Sequence, residues 1–175
     1  MAWNKTSCYI GNFVWLALII GLTSCSITYG FSGGTMDYSK VQSISIKDFP
    51  NMAPLVYPPL AQQFTDQLRD KYIRQTRLQV LRENGTMDLE GEITNYELMP
   101  LAVREDMYAA QTRLTITIRV RFTNQATPED DFEQNFSAYQ EFDSSNMLQT
   151  VEGELSDLII KELIDQIYNA TVAKW

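Results

Sequence analysis

Apolar and polar residues alternate along several stretches of this chain and recur every three or four positions along two others. From Val41 to Phe49 (VQSISIKDF) the alternation centres on Ile44 and Ile46 and stops at Pro50, which predicts a strand. Leu60, Phe64, Leu68 and Tyr72 then recur every four residues, with Gln63, Asp66, Arg69, Lys71 and Arg74 on the other faces. That spacing predicts an amphipathic helix near residues 58–76, with Pro58 or Pro59 at its start, where a missing amide donor costs nothing. Leu78 and Val80 lead into Asn84-Gly85, the strongest short signal for a tight hairpin, and beyond it Met87, Leu89, Gly91 and Ile93 alternate with Asp88, Glu90, Glu92 and Thr94. Two strands joined by that turn are expected.

After a loop near residues 101–110, Leu114, Ile116, Ile118, Val120 and Phe122 alternate without a break against Arg113, Thr115, Thr117, Arg119 and Arg121, the pattern of a half-buried strand. A turn from Thr123 to Asp131 separates it from another strand, whose Phe132, Phe136, Ala138 and Phe142 share one face. Asp143, Ser144, Ser145 and Asn146 offer N-caps for a last helix running to about Ala170. Leu148, Val151, Leu155, Leu158, Ile159, Leu163 and Ile167 form its main apolar stripe, and Ile160, Ile164 and Tyr168 a second, so this helix is expected to face both the sheet and something else. The order of elements predicts an α+β fold: a two-layer sandwich with two helices packed on one face of a mixed four- to five-stranded sheet. Residues 41–175 make one such domain.

The N-terminus carries a different pattern. A short polar segment with Lys5 precedes the apolar run from Phe13 to Leu22, the layout of a secretion signal. Ten apolar residues as a helix span about 15 Å, half of a hydrocarbon core of roughly 30 Å, so the segment is short for a membrane span. Leu22-Thr23-Ser24-Cys25 follows directly and looks like the bacterial lipobox: a branched apolar residue, two small residues, then the cysteine that receives a diacylglyceryl group. Residues 1–24 are therefore expected to be a lipoprotein signal peptide and Cys25 the lipidation site, with an ordinary signal peptide and an incidental cysteine as the alternative. Acyl chains contribute about 0.8 kcal/mol per buried methylene, enough for two or three to anchor the chain to a membrane. Residues 25–40 read as the lipidated N-terminus and a Gly- and Ser-rich tether. Ser26 after the cysteine resembles lipoproteins sorted to the outer membrane.

Composition narrows the function. A formal charge of −8 disfavours nonspecific nucleic-acid binding, so no nucleic-acid partner is expected. There is no histidine, which removes the commonest general base and transition-metal ligand. Of the two cysteines, Cys8 falls in the expected signal, so a disulfide is not expected in the mature domain. Nucleophile elbows, phosphate loops and zinc spacings are absent from the sequence; a catalytic site, a cofactor and a metal site are not expected. The acidic run Glu129, Asp130, Asp131 and Glu133 lacks the spacing and glycine of a calcium loop and reads as a solvated turn. The constellation with the most chemistry is the row Arg113, Arg119 and Arg121, whose guanidinium forks match phosphates. Its simpler reading is cross-strand pairing with Glu90 and Glu92 on a neighbouring strand.

The combination of YGFSGG (29–34), VQSISIKDFPNMAPLVYP (41–58), FTDQLRDK (64–71), LEGEITNY (89–96), RLTITIRVRFTN (113–124), DFEQNF (131–136), FDSS (142–145) and the closing Ala173 to Trp175 resembles a divergent branch of the lipopolysaccharide-assembly lipoprotein (LptE) family. The resemblance implies a noncatalytic outer-membrane lipoprotein, lipid-anchored and facing the periplasm or the lumen of a large β-barrel partner of the LptD kind. It implies that the pair delivers lipopolysaccharide to the cell surface, with lipopolysaccharide itself a possible ligand and the phosphates of lipid A suited to Arg113, Arg119 and Arg121. An accessory binding lipoprotein of another envelope transport or secretion machine is the alternative.

Overall fold

A computed structural model describes residues 38–55, 57–101 and 110–172. The expected signal peptide, Cys25, most of the tether, the greater part of the expected 101–110 loop and the closing Ala173 to Trp175 lie outside the described residues. The elements are β1 (Ser43–Ile46), α1 (Leu60–Gln75), β2 (Gln79–Leu81), β3 (Met87–Pro100), β4 (Gln111–Asn124), a 3-10 turn (Pro128–Asp130), β5 (Phe132–Asp143) and α2 (Leu148–Thr171). The five strands form one mixed sheet in the order β2-β1-β3-β4-β5, with β1 parallel to both its neighbours and β3, β4 and β5 antiparallel. Both helices cover one face, as the patterning predicts.

The core follows from parity. Ile44 and Ile46 of β1, Leu89 and Ile93 of β3, and Leu114, Ile116, Ile118, Val120 and Phe122 of β4 are buried under Phe64, Leu68 and Tyr72 of α1 and Ile159, Leu163 and Ile167 of α2. Each such side chain stabilises the fold by about 1.5–3 kcal/mol relative to exposure. β3 runs well past Thr94 because the register shifts between Ile93 and Asn95. That bulge turns the strand over, so Met87, Leu89 and Ile93 point inward before it and Tyr96 and Leu98 after it. Gly91 faces inward where a Cβ would lie 2.6 Å from the Phe49 ring, and Phe49 uses the space to pack edge-on against Phe64 at 5.1 Å.

The expected hairpin at Asn84-Gly85 is not formed. β2 ends beside Ser45 on one side of β1, and β3 begins beside Ile44 on the other side, so the five residues between them cross over β1. Parallel strands ordinarily need a connection of a dozen residues or more. Here the chain steps back by only one residue along β1, and five suffice. Asn84 supplies the positive φ of 59°. Gly85 lies so close to the strand beneath that a Cβ would sit 2.4 Å from Ser45 N and 2.6 Å from Met87 O. The two serines of β1 satisfy the crossing backbone. Thr86 N–H donates to Ser43 Oγ at 3.0 Å, and Gly85 N–H to Ser45 Oγ at 3.3 Å, while Ser45 Oγ donates to Asp88 Oδ1 at 2.6 Å.

The second apolar stripe of α2 also has an answer: it meets α1. Ile160 and Ile164 are buried, Lys71 Nζ pairs with Asp165 at 2.7 Å, and Tyr72 packs edge-on against Tyr168 at 5.5 Å. The Tyr72 and Thr171 hydroxyls share a buried hydrogen bond of 2.5 Å. The N-cap of α2 is Met147, not one of the four polar residues before it. Asp143 instead accepts the Ser145 N–H at 2.8 Å, which stabilises the turn leading into the helix.

These contacts give the domain two distinct ends. At the proximal end the chain enters through Tyr38, close to Tyr168, and leaves after Thr171. At the distal end lie the β1–α1 loop, the end of β3 at Pro100 with the start of β4 at Gln111, and the β5–α2 turn. The sheet is open along β5, where Ser144 N–H bonding to Ala110 O fixes the register and points alternate backbone groups of β5 outward. One of them, Ser137 O, accepts a bond from Gln166 Nε2 of α2 at 3.3 Å.

Two glycine substitutions separate these roles. Gly85→Ala, with a Cβ driven into β1 backbone, is expected to lower unfolding free energy by at least about 2 kcal/mol. Gly153→Ala, inside α2 with only Tyr57 Oη at 3.7 Å, is expected to raise it by about 0.5–1 kcal/mol. Urea denaturation of the two variants checks both signs.

Candidate functional site

The outer face of the sheet, opposite the helices, carries the arginine row, and β4 positions it. With every second residue of β4 in the core, Arg113, Thr115, Thr117, Arg119 and Arg121 must stand on the outer face. Glu92 and Glu90 of β3 lie directly opposite Arg119 and Arg121, and Asn135 and Glu133 of β5 flank them on the other side. Arg119 makes a close ion pair with Glu92, and Arg121 lies 3.6 Å from Glu90. Lys47, just past β1, reaches both Glu90 at 2.5 Å and Asp88 at 3.2 Å. The hydrogen bonds that Lys47 donates to Glu90 and Asp88 hold its ammonium above its ordinary lysine range. Lys47, Asp48, Glu90, Gly91, Glu92, Arg119, Arg121 and Glu133 line a shallow groove of about 460 Å³.

Arg113 belongs to a different neighbourhood. Six residues of strand separate it from Arg119, about 20 Å. Its guanidinium donates to Glu141 Oε1 from Nε at 3.1 Å and from Nη2 at 2.6 Å, and lies over the Tyr139 ring at 4.2 Å. Between the two groups Thr117 and Ser137 share a hydroxyl bond at 3.1 Å. The structure thus brings Arg119 and Arg121 together with Lys47 and leaves Arg113 apart. Lys47, Tyr139 and Glu141 belong to the surface yet were not singled out in the sequence; their parity on their strands was the available signal.

The electrostatics follow from the count. Among the described residues the face holds four basic residues (Lys47, Arg113, Arg119, Arg121) and seven acidic ones (Asp88, Glu90, Glu92, Glu97, Glu133, Glu141, Asp143). Exposed ion pairs of this kind contribute about 0.2–1 kcal/mol each. Arg119 and Arg121 stay more than half exposed, so donors remain free to meet an anion, in competition with the neighbouring carboxylates.

Other sequence candidates resolve into structure. Asp131 accepts Asn124 N–H at 2.7 Å and Asp130 accepts the Thr127 hydroxyl at 2.8 Å, so these two acids of the run tie the β4–β5 turn. Among the described residues no group of three or more acids or cysteines is arranged to hold a metal ion. Arg69 donates to Ile46 O and Asp48, both at 2.8 Å, and Arg74 to Asp70 at 3.0 Å on the same helix. Cys25 lies outside the described residues.

The fold and this face define an α+β two-layer domain that presents a salt-bridged sheet surface. The chain belongs to the LptE, lipopolysaccharide-assembly family, whose sequence profile matches residues 41–171. Among solved structures it is similar to hypothetical protein CT253 from Chlamydia trachomatis, with 9% identity over 77% of this chain and 100% of that one and a TM-score of 0.52. Rare lipoprotein B from Shewanella oneidensis aligns at 8% identity over 74% of this chain and 90% of its own, with a TM-score of 0.47. No curated protein matches the sequence.

Two buried tyrosines give the domain a pH signature. Burial pushes the Tyr72 phenol well above its ordinary value near 10, and burial together with the hydrogen bond to Glu152 at 2.5 Å does the same for Tyr96. Because the folded state holds these phenols protonated, their contribution to stability is complete below the unfolded tyrosine pKa. It is lost as pH rises beyond about 10. Urea midpoints should fall between pH 9 and pH 11, and Tyr72→Phe should flatten that fall; an equal slope in the variant refutes the assignment.

Proposed function

We propose that this chain is a noncatalytic outer-membrane lipoprotein, acylated at Cys25 after loss of residues 1–24 and tethered through residues 25–40. In this reading it partners a large β-barrel of the LptD kind in barrel assembly and in delivery of lipopolysaccharide to the surface, from the periplasmic side or within the barrel lumen. The observation that carries the reading is family membership across the whole folded domain, residues 41–171. The residues support it in two further ways. The lipobox supplies the anchor, and the sequence holds no histidine to serve a general-base site.

Arg113, Arg119 and Arg121 are the proposed lipopolysaccharide contacts. Arg119 and Arg121 act as one pair beside Lys47, suited to a single phosphate group, and Arg113 acts as a separate contact further along the strand. The acidic surplus on the same face makes binding weak and sensitive to salt, since any phosphate must share the guanidinium donors with Glu90 and Glu92.

The full chain, tagged at its C-terminus and purified from detergent-extracted outer membranes, should carry a large β-barrel protein at near-equal amounts. Mass spectrometry of its N-terminal peptide should find Cys25 acylated. An acylated Cys25 with no barrel sends the function to another envelope machine. For the arginine face, Arg119→Glu with Arg121→Glu should weaken lipopolysaccharide binding at least tenfold at low salt, and an unchanged binding curve returns the row to sheet solubility.

A further inference from the structure

The sheet ends in two rims of opposite kind. β2 forms one, and with three residues it is the short edge that folded proteins ordinarily present. β5 forms the other, with twelve residues in unbroken register with β4 and with no proline, glycine or lysine among them. A long edge without a bulge is a template on which another strand can pair. Its free backbone groups follow from the register. Even-numbered residues of β5 bond to β4, so the N–H and C=O groups of Glu133, Asn135, Ser137, Tyr139 and Glu141 point away from the sheet, over about 27 Å. Among the described residues one bond reaches this row, from Gln166 Nε2 to Ser137 O at 3.3 Å.

The side chains beside the row set the chemistry of an occupant. Glu133, Glu141 and Asp143 make β5 acidic, and the strand has no base. Glu141 is held by Arg113 at 2.6 Å, whereas Glu133 makes no ion pair among the described residues. On the helix side, Gln166 also donates to Glu162 at 3.5 Å, and one turn further back along the same side of α2 stands Leu158, 43% exposed. A strand added here sets every second side chain against Glu133, Tyr139 and Glu141 on the outer face. The side chains between them meet Leu158 and Glu162 under α2.

We infer that the β5 rim takes up an extended segment of another polypeptide as an added strand, with lysine or arginine opposite Glu133 and Glu141 and apolar residues between. Main-chain hydrogen bonds along the row supply the attraction, and the charges select the segment. The chain's own residues 26–37 carry no base and one acid, and a second β5 carries three acids, so neither supplies the complementary charge. Lipid headgroups have no alternating row of donors and acceptors to meet the rim. The single bond from Gln166 gives way, and a backbone donor of the incoming strand replaces it at Ser137 O.

Amide hydrogen exchange followed by NMR tests this with the full chain in a neutral detergent. The probe is a synthetic peptide of alternating lysine and valine, matched to β5 in length. It is expected to slow exchange at the amides of Asn135, Ser137, Tyr139 and Glu141 by about tenfold or more, and to leave the inward amides of Phe136 and Ala138 unchanged. The same peptide N-methylated at every residue keeps its charge and loses its donors, and should protect none of the four. A peptide of alternating glutamate and valine should protect none either. Glu133→Lys with Glu141→Lys should reverse the preference, by about tenfold against the lysine peptide and in favour of the glutamate one. Unchanged rim exchange with the lysine peptide, or equal protection by its N-methylated form, overturns the added strand. Equal protection by the lysine and glutamate peptides overturns the charge selection and with it the stated partner. Rim amides already protected without peptide, and released on dilution, would show a second copy in place and overturn the proposal as well.

Discussion

Everything in this domain is arranged around the register of β4. Its apolar side chains alternate without interruption from Leu114 to Phe122, and a slip of one residue would carry all of them into water and bring arginines into the core. The neighbours adjust to it. β3 keeps its apolar residues inward on both sides of a change in parity only by inserting a bulge at Thr94, whose hydroxyl then donates to Thr117 O of β4 at 3.2 Å. β5 follows β4 residue for residue without a bulge, and α2 lies over both strands. The charged outer face is thus a by-product of packing: the positions that remain after the core has taken its half of each strand.

That dependence explains what could be read from the sequence and what could not. Both helices, the β4 strand and the two-layer arrangement follow from periodicity, which is local. Strand order is not local. Asn84-Gly85 has the conformational freedom a hairpin needs, and a tight crossing over a strand needs the same freedom, so the pair alone does not distinguish them. The distinguishing signal lay in Ser43 and Ser45, polar residues at the outward positions of β1 that are consumed by the crossing backbone. Likewise the second stripe of α2 was legible as apolar, but its cover, α1, is set by tertiary packing.

The arginine row shows the same division. Its placement on one face was legible from β4, and so was the pairing of Arg119 and Arg121 with Glu92 and Glu90 across to β3. Its breakup into two neighbourhoods was not, because Lys47 arrives from β1 while Tyr139 and Glu141 arrive from β5. A surface whose cations are each matched by a carboxylate has little net attraction for distant anions. Any selectivity it has operates at contact range, through donor geometry.

The uncovered rim of β5 carries a safeguard of its own. If two molecules met rim to rim in antiparallel fashion about Ser137, Glu133 of each would face Glu141 of the other, and the glutamine already seated on Ser137 O would have to leave. The pairing that would nucleate a fibril is therefore opposed at both ends and in the middle. Resistance to runaway stacking is thus written into three side chains.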